Sequence, residues 1–150
     1  MNPLLIVANT PSENALALRN AVQQGVASSN YPVTVKRPLE TPAEDVMSCS
    51  GIIIGTTENF SYMSGQIKDF FERIYYPCLH NTDALPWSLY IKAGLVGTGA
   101  TRSVEKIVTG LKWKPTQEPL LLHGPFQESF ISDCETLGAG MAEGLKLGIF

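Results

Sequence analysis

Short aliphatic runs alternate with amphipathic segments along the whole chain, and this alternation restricts the fold more than any other feature. Five runs rich in Leu, Ile and Val are typical of buried strands: Leu4–Ala8, Val33–Lys36, 52–55, 94–97 (or from about residue 89) and Leu120–His123. Repeated strand–helix–strand units imply parallel strands joined by right-handed crossovers. The sequence therefore predicts a three-layer α/β fold with helices on both faces of a parallel sheet.

Four segments repeat apolar residues at helical spacing, and each therefore presents one apolar face to the sheet. The four sets are Ala15, Leu18, Val22 and Val26; Ile67, Phe70, Phe71 and Ile74; Val104, Ile107, Val108 and Leu111; and Cys134, Leu137, Met141 and Leu145. A fifth, shorter helix is predicted over residues 41–49. Capping boxes that open with Thr10, Thr41 and Ser132 predict where three of these helices begin.

Length and charge limit the classes of protein to which the chain can belong. With 150 residues, 44% of them hydrophobic, we expect one domain spanning residues 1–150. A formal charge of -3 disfavours nucleic acid and anionic membranes as partners, so a small molecule or a protein is expected instead. The apolar run Leu4–Ala8 is too short for a membrane span or a signal peptide.

The cysteines and histidines indicate neither disulfides nor a metal site. The three cysteines are odd in number and form no C-x-x-C pair, which favours reduced thiols and a cytoplasmic location. His80 and His123 lack the spacing of metal ligands, and we interpret both as surface or packing residues. His80 belongs to the irregular stretch 79–87, which either covers a site or is an ordinary connection.

Three loops should carry the function, because ligands of open parallel sheets bind beyond the carboxyl ends of the strands. In the first loop, the hydroxyls of Thr10 and Ser12 and the amide of Asn14 suit a phosphate at a helix N-terminus. The alternative is that Thr10 and Glu13 only cap the helix.

The second and third loops favour a planar ligand. The second, residues 55–65, is longer than an ordinary strand–helix connection and carries Phe60 and Tyr62, which suit stacking on a ring or simply pack the loop down. In the third, Gly97 and Gly99 mark a close backbone approach or a positive φ. This loop fails as a dinucleotide fingerprint because Arg102 occupies the position of the third glycine.

Taken together, the three loops resemble those of flavodoxin-like FMN proteins. Thr10-x-Ser12-x-Asn14 is similar to the phosphate loop T-x-T-G-x-T of that family, with Glu13 and Ala15 in place of its glycine and last threonine. Residues 57–68 resemble the P-E-Y-N-x-S-x-P-G-x-L-K segment of the NAD(P)H-dependent FMN and quinone reductases. Residues 91–99 resemble the fourth strand and G-x-G loop of the family.

The resemblance implies a flavodoxin-like sheet of strand order 2-1-3-4-5 that holds FMN. It implies no catalytic side chain, since the flavin carries the chemistry. The cofactor-binding residues that it implies are Thr10, Ser12, Glu13, Asn14, Thr57, Glu58, Asn59, Phe60, Ser61, Tyr62, Gly97, Thr98 and Gly99.

Three functions fit the sequence. The first is an oxidoreductase with NAD(P)H as co-substrate and a quinone, a flavin or a similar small molecule as acceptor. The second is a flavodoxin-type electron carrier, although such carriers are more acidic. The third is an interaction domain that has lost FMN, as Glu13 and Ala15 would indicate. Four aromatic residues near the end of one helix, at positions 70, 71, 75 and 76, also favour a homodimer.

Overall fold

The computed structural model describes residues 1–150 and confirms the three-layer α/β fold. In chain order the elements are β1 (Leu4–Ala8), α1 (Glu13–Ser28), β2 (Val33–Lys36), a 3₁₀ turn (Pro38–Glu40), α2 (Ala43–Met47), β3 (Gly51–Asn59), β4 (Tyr62–Met63), α3 (Gly65–Cys78), β5 (Pro86–Ala93), α4 (Thr98–Leu111), β6 (Lys114–Pro115), β7 (Leu120–His123) and α5 (Ser129–Lys146). Three of the five predicted strands have the predicted bounds.

The central sheet has the order β2-β1-β3-β5-β7, which is the predicted order of five main strands. The remaining two strands are short: β6 pairs with the start of β5, and β4 pairs antiparallel with the end of β3. In the parallel register Val7 lies beside Ile54, and Ile54 lies beside Leu89. The carboxyl ends of β1, β3 and β5 therefore meet at one edge.

Two apolar cores lie on opposite faces of the sheet. On one face α2, α3 and α4 bury a cluster that includes Phe70, Phe71 and Trp113. On the other, α1 and α5 bury Leu18 and Met141. The four predicted helical stripes pack against these cores, with Ile107 and Leu145 partly buried and Ala15 buried outside both clusters. The predicted periodicity is thus confirmed, and it explains why the helices cover both faces.

The fourth strand covers residues 89–93 of the longer predicted run and none of 94–97. β5 ends at Ala93, and Leu95 and Val96 are exposed in the following loop. The reason is that residues 87–92 of β5 pair with β3, and the chain bends at Gly94. The stretch 79–87 leads into the amino end of β5, so it is an ordinary connection, and the exposed His80 lies at the edge opposite the predicted site.

All three predicted capping boxes are wrong in position. Helix α1 is capped by Ser12, whose Oγ accepts a hydrogen bond from the Ala15 amide at 3.1 Å. Thr41 donates its hydroxyl to the Arg37 carbonyl, and α2 begins after Pro42 without a side-chain cap. Ser132 lies inside α5, which begins at Ser129. Local side-chain bonds of this kind compete with capping.

Helices α1 and α5 pack backbone against backbone at two glycines. A Cβ atom on Gly25 would collide with the Glu135 carbonyl, and one on Gly138 would collide with the Val22 carbonyl. Backbone atoms cannot move aside as a flexible side chain can. Glycine at both positions is therefore what brings the two helices together over β1.

We expect Gly25→Ala and Gly138→Ala each to lower the free energy of unfolding by roughly 1 to 3 kcal/mol, the usual cost of overpacking. The matched control is Gly140→Ala in α5, where the new methyl would lie 3.2 Å from Oε1 of the Gln117 side chain and not against backbone. Urea denaturation measures all three. A loss in Gly140→Ala as large as in the other two would contradict the steric explanation.

Candidate functional site

The N-terminus of α1 offers free amide donors at the carboxyl edge of the sheet. The Ser12 side chain satisfies the Ala15 amide, while the Glu13 and Asn14 N–H groups have no acceptor in the chain. The Glu13 carboxylate is exposed and makes no capping bond. Together with the helix dipole, these donors favour an anion at this end of α1.

A reciprocal pair of hydrogen bonds joins this loop to β3. The Asn9 amide nitrogen donates to Thr57 Oγ1, and the Thr57 N–H donates to Asn9 Oδ1, both at 3.2 Å. Asn59 Nδ2 also donates to Thr57 Oγ1, at 3.3 Å. The hydroxyl oxygen of Thr57 thus accepts twice, and its own hydrogen has no acceptor in the chain. It is a free donor between the first two loops.

The predicted second loop is a β-hairpin. β3 runs to Asn59, which pairs with Tyr62 of β4 across a two-residue turn. Both turn residues, Phe60 and Ser61, have positive φ (55° and 60°), which is uncommon for side chains other than Gly, Asn or Asp. The turn leaves Phe60 fully exposed and Tyr62 42% exposed, so these rings do not pack the loop down.

Glu58 ties the hairpin to the N-terminus of α4. Its two carboxylate oxygens accept hydrogen bonds from the Gly97 amide at 3.2 Å and the Ala100 amide at 2.9 Å. A negative charge here also complements the dipole of α4. The carboxylate therefore holds the second and third loops together.

The two glycines of the third loop meet the predicted requirements. Gly97 has a φ of +88°, and a Cβ on Gly99 would collide with the carbonyl of Ser61. The group approached closely is thus the backbone of the hairpin. The Thr98 and Gly99 amides keep no acceptor in the chain and remain available.

The structure brings the predicted site residues together at one edge. The set lies in the last residues of β3, in the loops after β1, β3 and β5, and in the first residues of β4, α1 and α4. The exposed Leu95 and Val96 lie beside it in sequence. His123 is exposed at the end of β7. The edge combines free amides, a free hydroxyl and exposed aromatic rings, which can bind an anionic group and a planar ring.

The three cysteines are free thiols, and no cluster of potential metal ligands is found. Burial raises the pKa of Cys49 and Cys134 to about 12 and that of Cys78 to about 11, so all three are protonated at neutral pH. No group of three or more His, Cys, Asp and Glu side chains is placed to hold a metal ion.

None of the helices has the length and apolar character needed to cross a membrane.

Sequence reasoning missed a cavity of about 420 Å³, which we name the arginine cavity. It lies on the β2 side of the first loop, and its lining is Ala8, Asn9, Thr10, Pro11, Leu16, Arg19, Arg37, Pro38 and Gln66. Arg19 and Arg37 are its only charged residues. They are remote in sequence, so no basic cluster signalled them.

No protein-family model and no curated protein matches the chain. Among solved structures, a flavodoxin from the domain Archaea superposes with a TM-score of 0.81 at 18% identity, covering 96% of this chain and 99% of that one. Oxidised flavodoxin 2 from Bacillus cereus gives 0.76 at 17% identity, with 94% and 98% covered. Rubredoxin:oxygen oxidoreductase from Desulfovibrio gigas gives 0.82 at 12% identity, and this chain covers 37% of its length. The fold is therefore flavodoxin-like.

We expect Glu58→Ala to lower the free energy of unfolding by about 1 to 2 kcal/mol, because it removes both acceptors from the end of α4. Glu58→Gln keeps one acceptor oxygen and should lose less. Glu105→Ala, an exposed carboxylate within the same helix, should change stability by less than about 0.5 kcal/mol. Urea denaturation measures the three variants, and equal losses in Glu58→Ala and Glu105→Ala would contradict the capping role.

Proposed function

We propose that this chain binds FMN at the carboxyl edge of its sheet and transfers electrons through it. The observation that carries the proposal is the placement of unpartnered amides and exposed aromatic rings at one edge of a flavodoxin-like sheet. FMN needs both, since its phosphate is anionic and its ring is planar. The names of the similar flavodoxins agree with this proposal.

The phosphate end of FMN fits the first loop. The free Glu13 and Asn14 amides, the hydroxyls of Thr10 and Ser12 and the side chain of Asn14 supply donors without rearrangement of α1. The Glu13 carboxylate makes no bond that fixes it toward the helix end, and its exposure lets it turn into solvent. Glu13 therefore does not exclude a phosphate here.

The ring end fits the second and third loops. The Thr57 hydroxyl and the Thr98 and Gly99 amides are free donors for the polar edge of a ring, while Phe60 and Tyr62 offer aromatic faces. Glu58 and Asn59 hold these groups in place. When bound, FMN would supply hydride or single-electron chemistry, and the protein has only to bind, orient and shield it.

Two forms of this function differ in the electron donor. An electron carrier is favoured by the exposure of Phe60, Tyr62, Leu95 and Val96, which leaves the ring end open to a protein partner. An NAD(P)H-dependent reductase acting on a quinone, flavin or similar acceptor is supported by the resemblance of residues 57–68 to that branch. The proposed homodimer has the exposed Tyr76 as its candidate contact, since Phe70 and Phe71 are buried.

The test is the visible absorption of the purified protein after incubation with FMN and desalting, followed by anaerobic NADPH or NADH. We expect the flavin spectrum to be retained in a ratio of about one FMN per chain. Bleaching by a nicotinamide supports the reductase, and a spectrum reduced only by dithionite supports the carrier. A colourless protein after desalting would contradict FMN binding and leave the flavin-free interaction domain.

The phosphate assignment predicts a difference between FMN and riboflavin, which lacks the phosphate. Ser12→Ala and Asn14→Ala should each weaken FMN binding by about tenfold or more, because a charge-assisted hydrogen bond is lost. Riboflavin affinity should not change. Fluorescence titration of both ligands measures this, with Ser132→Ala in α5 as the control. Equal losses for the two ligands would place the phosphate elsewhere.

A further inference from the structure

The arginine cavity carries positive charge without any compensating negative charge. Arg19 and Arg37 line it, and no carboxylate does. Neither guanidinium takes part in any of the four salt bridges of the chain. The contrast is Arg73, which is bonded to Asp69 and to two backbone carbonyls. Two unpaired cations at one cavity favour an anionic occupant.

Arg19 also shows an unfilled hydrogen-bonding capacity inside the protein. Its Nε is buried and has no partner, and its only side-chain bond runs from Nη2 to Asn20 Oδ1 at 3.2 Å. A buried donor without an acceptor costs free energy, so such groups are normally satisfied by a ligand, a water or another protein group. Solvent does not reach Nε, so the donor of Arg19 that an acceptor in the cavity can contact is Nη1, which makes no hydrogen bond within the chain.

The volume and lining of the cavity suit part of a nucleotide. Its volume of about 420 Å³ lies in the range of small-molecule sites and exceeds the needs of an inorganic ion. Asn9, Thr10 and Gln66 offer polar groups, while Leu16 and Pro38 offer apolar surface. Planar guanidinium groups match the paired oxygens of a phosphate better than ammonium groups do.

We infer that the arginine cavity binds the phosphomonoester group of a nucleotide through Arg19 and Arg37. Among the nucleotides that the proposed function involves, two carry this group: FMN itself, and NADPH through its 2′-phosphate. The first source would extend the FMN site described above across the first loop. The second would give the chain a site for a phosphorylated nicotinamide nucleotide that does not require FMN to be bound.

The experiment titrates two pairs of ligands by calorimetry. One pair is adenosine 2′-phosphate and adenosine, tested with and without FMN, and the other is FMN and riboflavin. The variants are Arg19→Gln, Arg37→Gln and Arg37→Lys. The lysine variant keeps the positive charge and loses the paired N–H donors of the guanidinium. Arg102→Gln is the control, because it removes an exposed arginine from α4, away from the cavity. Circular dichroism establishes that each variant is folded.

For the dinucleotide source we expect adenosine 2′-phosphate to bind and adenosine to bind much more weakly. Arg19→Gln or Arg37→Gln should then weaken binding by about tenfold or more, with Arg37→Lys between them and the wild type. If FMN is the source, the same variants should lower the affinity for FMN and leave the affinity for riboflavin unchanged. The inference is overturned if Arg19→Gln and Arg37→Gln bind adenosine 2′-phosphate and FMN as tightly as Arg102→Gln does. The adenosine pair is also tested without FMN. A protein that binds adenosine 2′-phosphate and not FMN would therefore contradict the proposed FMN binding and not this inference.

Discussion

Parallel pairing of β1, β3 and β5 decides where every polar loop of this chain lies. Leu4 pairs with Gly51 and Ile52 with Trp87, so the three strands start in register and run in the same direction. Their carboxyl ends then meet, although the residues that follow them are far apart in sequence. Because these strands are buried on both faces, a shift in register would move apolar side chains out of both cores. The site edge is therefore as firmly determined as the cores.

Two helix N-termini reach this edge, and the chain treats them differently. The Glu58 carboxylate already occupies part of the N-terminus of α4, through Gly97 and Ala100. At α1 the capping group is the neutral Ser12, and the next two amides stay free. An anion is therefore favoured at α1 and repelled near Glu58 by like charge. This asymmetry orients any ligand that has one anionic end and one neutral ring.

The sequence predicts those parts of the structure that follow from local periodicity. The bounds of β1, β2 and β7 and the buried faces of the long helices come from patterns of apolar residues, and the structure confirms them. The hairpin at Phe60 and Ser61 was missed because neither residue is a usual choice for positive φ. The turn is held from outside, since the Ser64 amide donates to Thr56 and the Met63 amide donates to Ser103.

The features that the sequence did not predict depend on tertiary contacts alone. Gly99 signals a close approach, but no pattern shows that its neighbour is the carbonyl of Ser61. Arg19 belongs to a helix and Arg37 follows an edge strand, and only the crossover between them makes them neighbours of one cavity. The same holds for Glu58, whose partners are about forty residues away in sequence. Neither the hydrophobic periodicity nor the composition of a sequence indicates contacts of this kind.

The first loop therefore faces cationic or amide groups on two sides, and this affects how affinities there should be interpreted. The α1 amides lie at its helix end, and the arginine cavity lies on its β2 side. An arginine that only attracts an anion at α1 through solvent acts over a screening length of about 8 Å at physiological salt, so its effect fades as salt rises. A direct guanidinium–phosphate contact is shorter in range and screened less. Salt dependence thus separates an arginine that contacts the ligand from one that only draws it in.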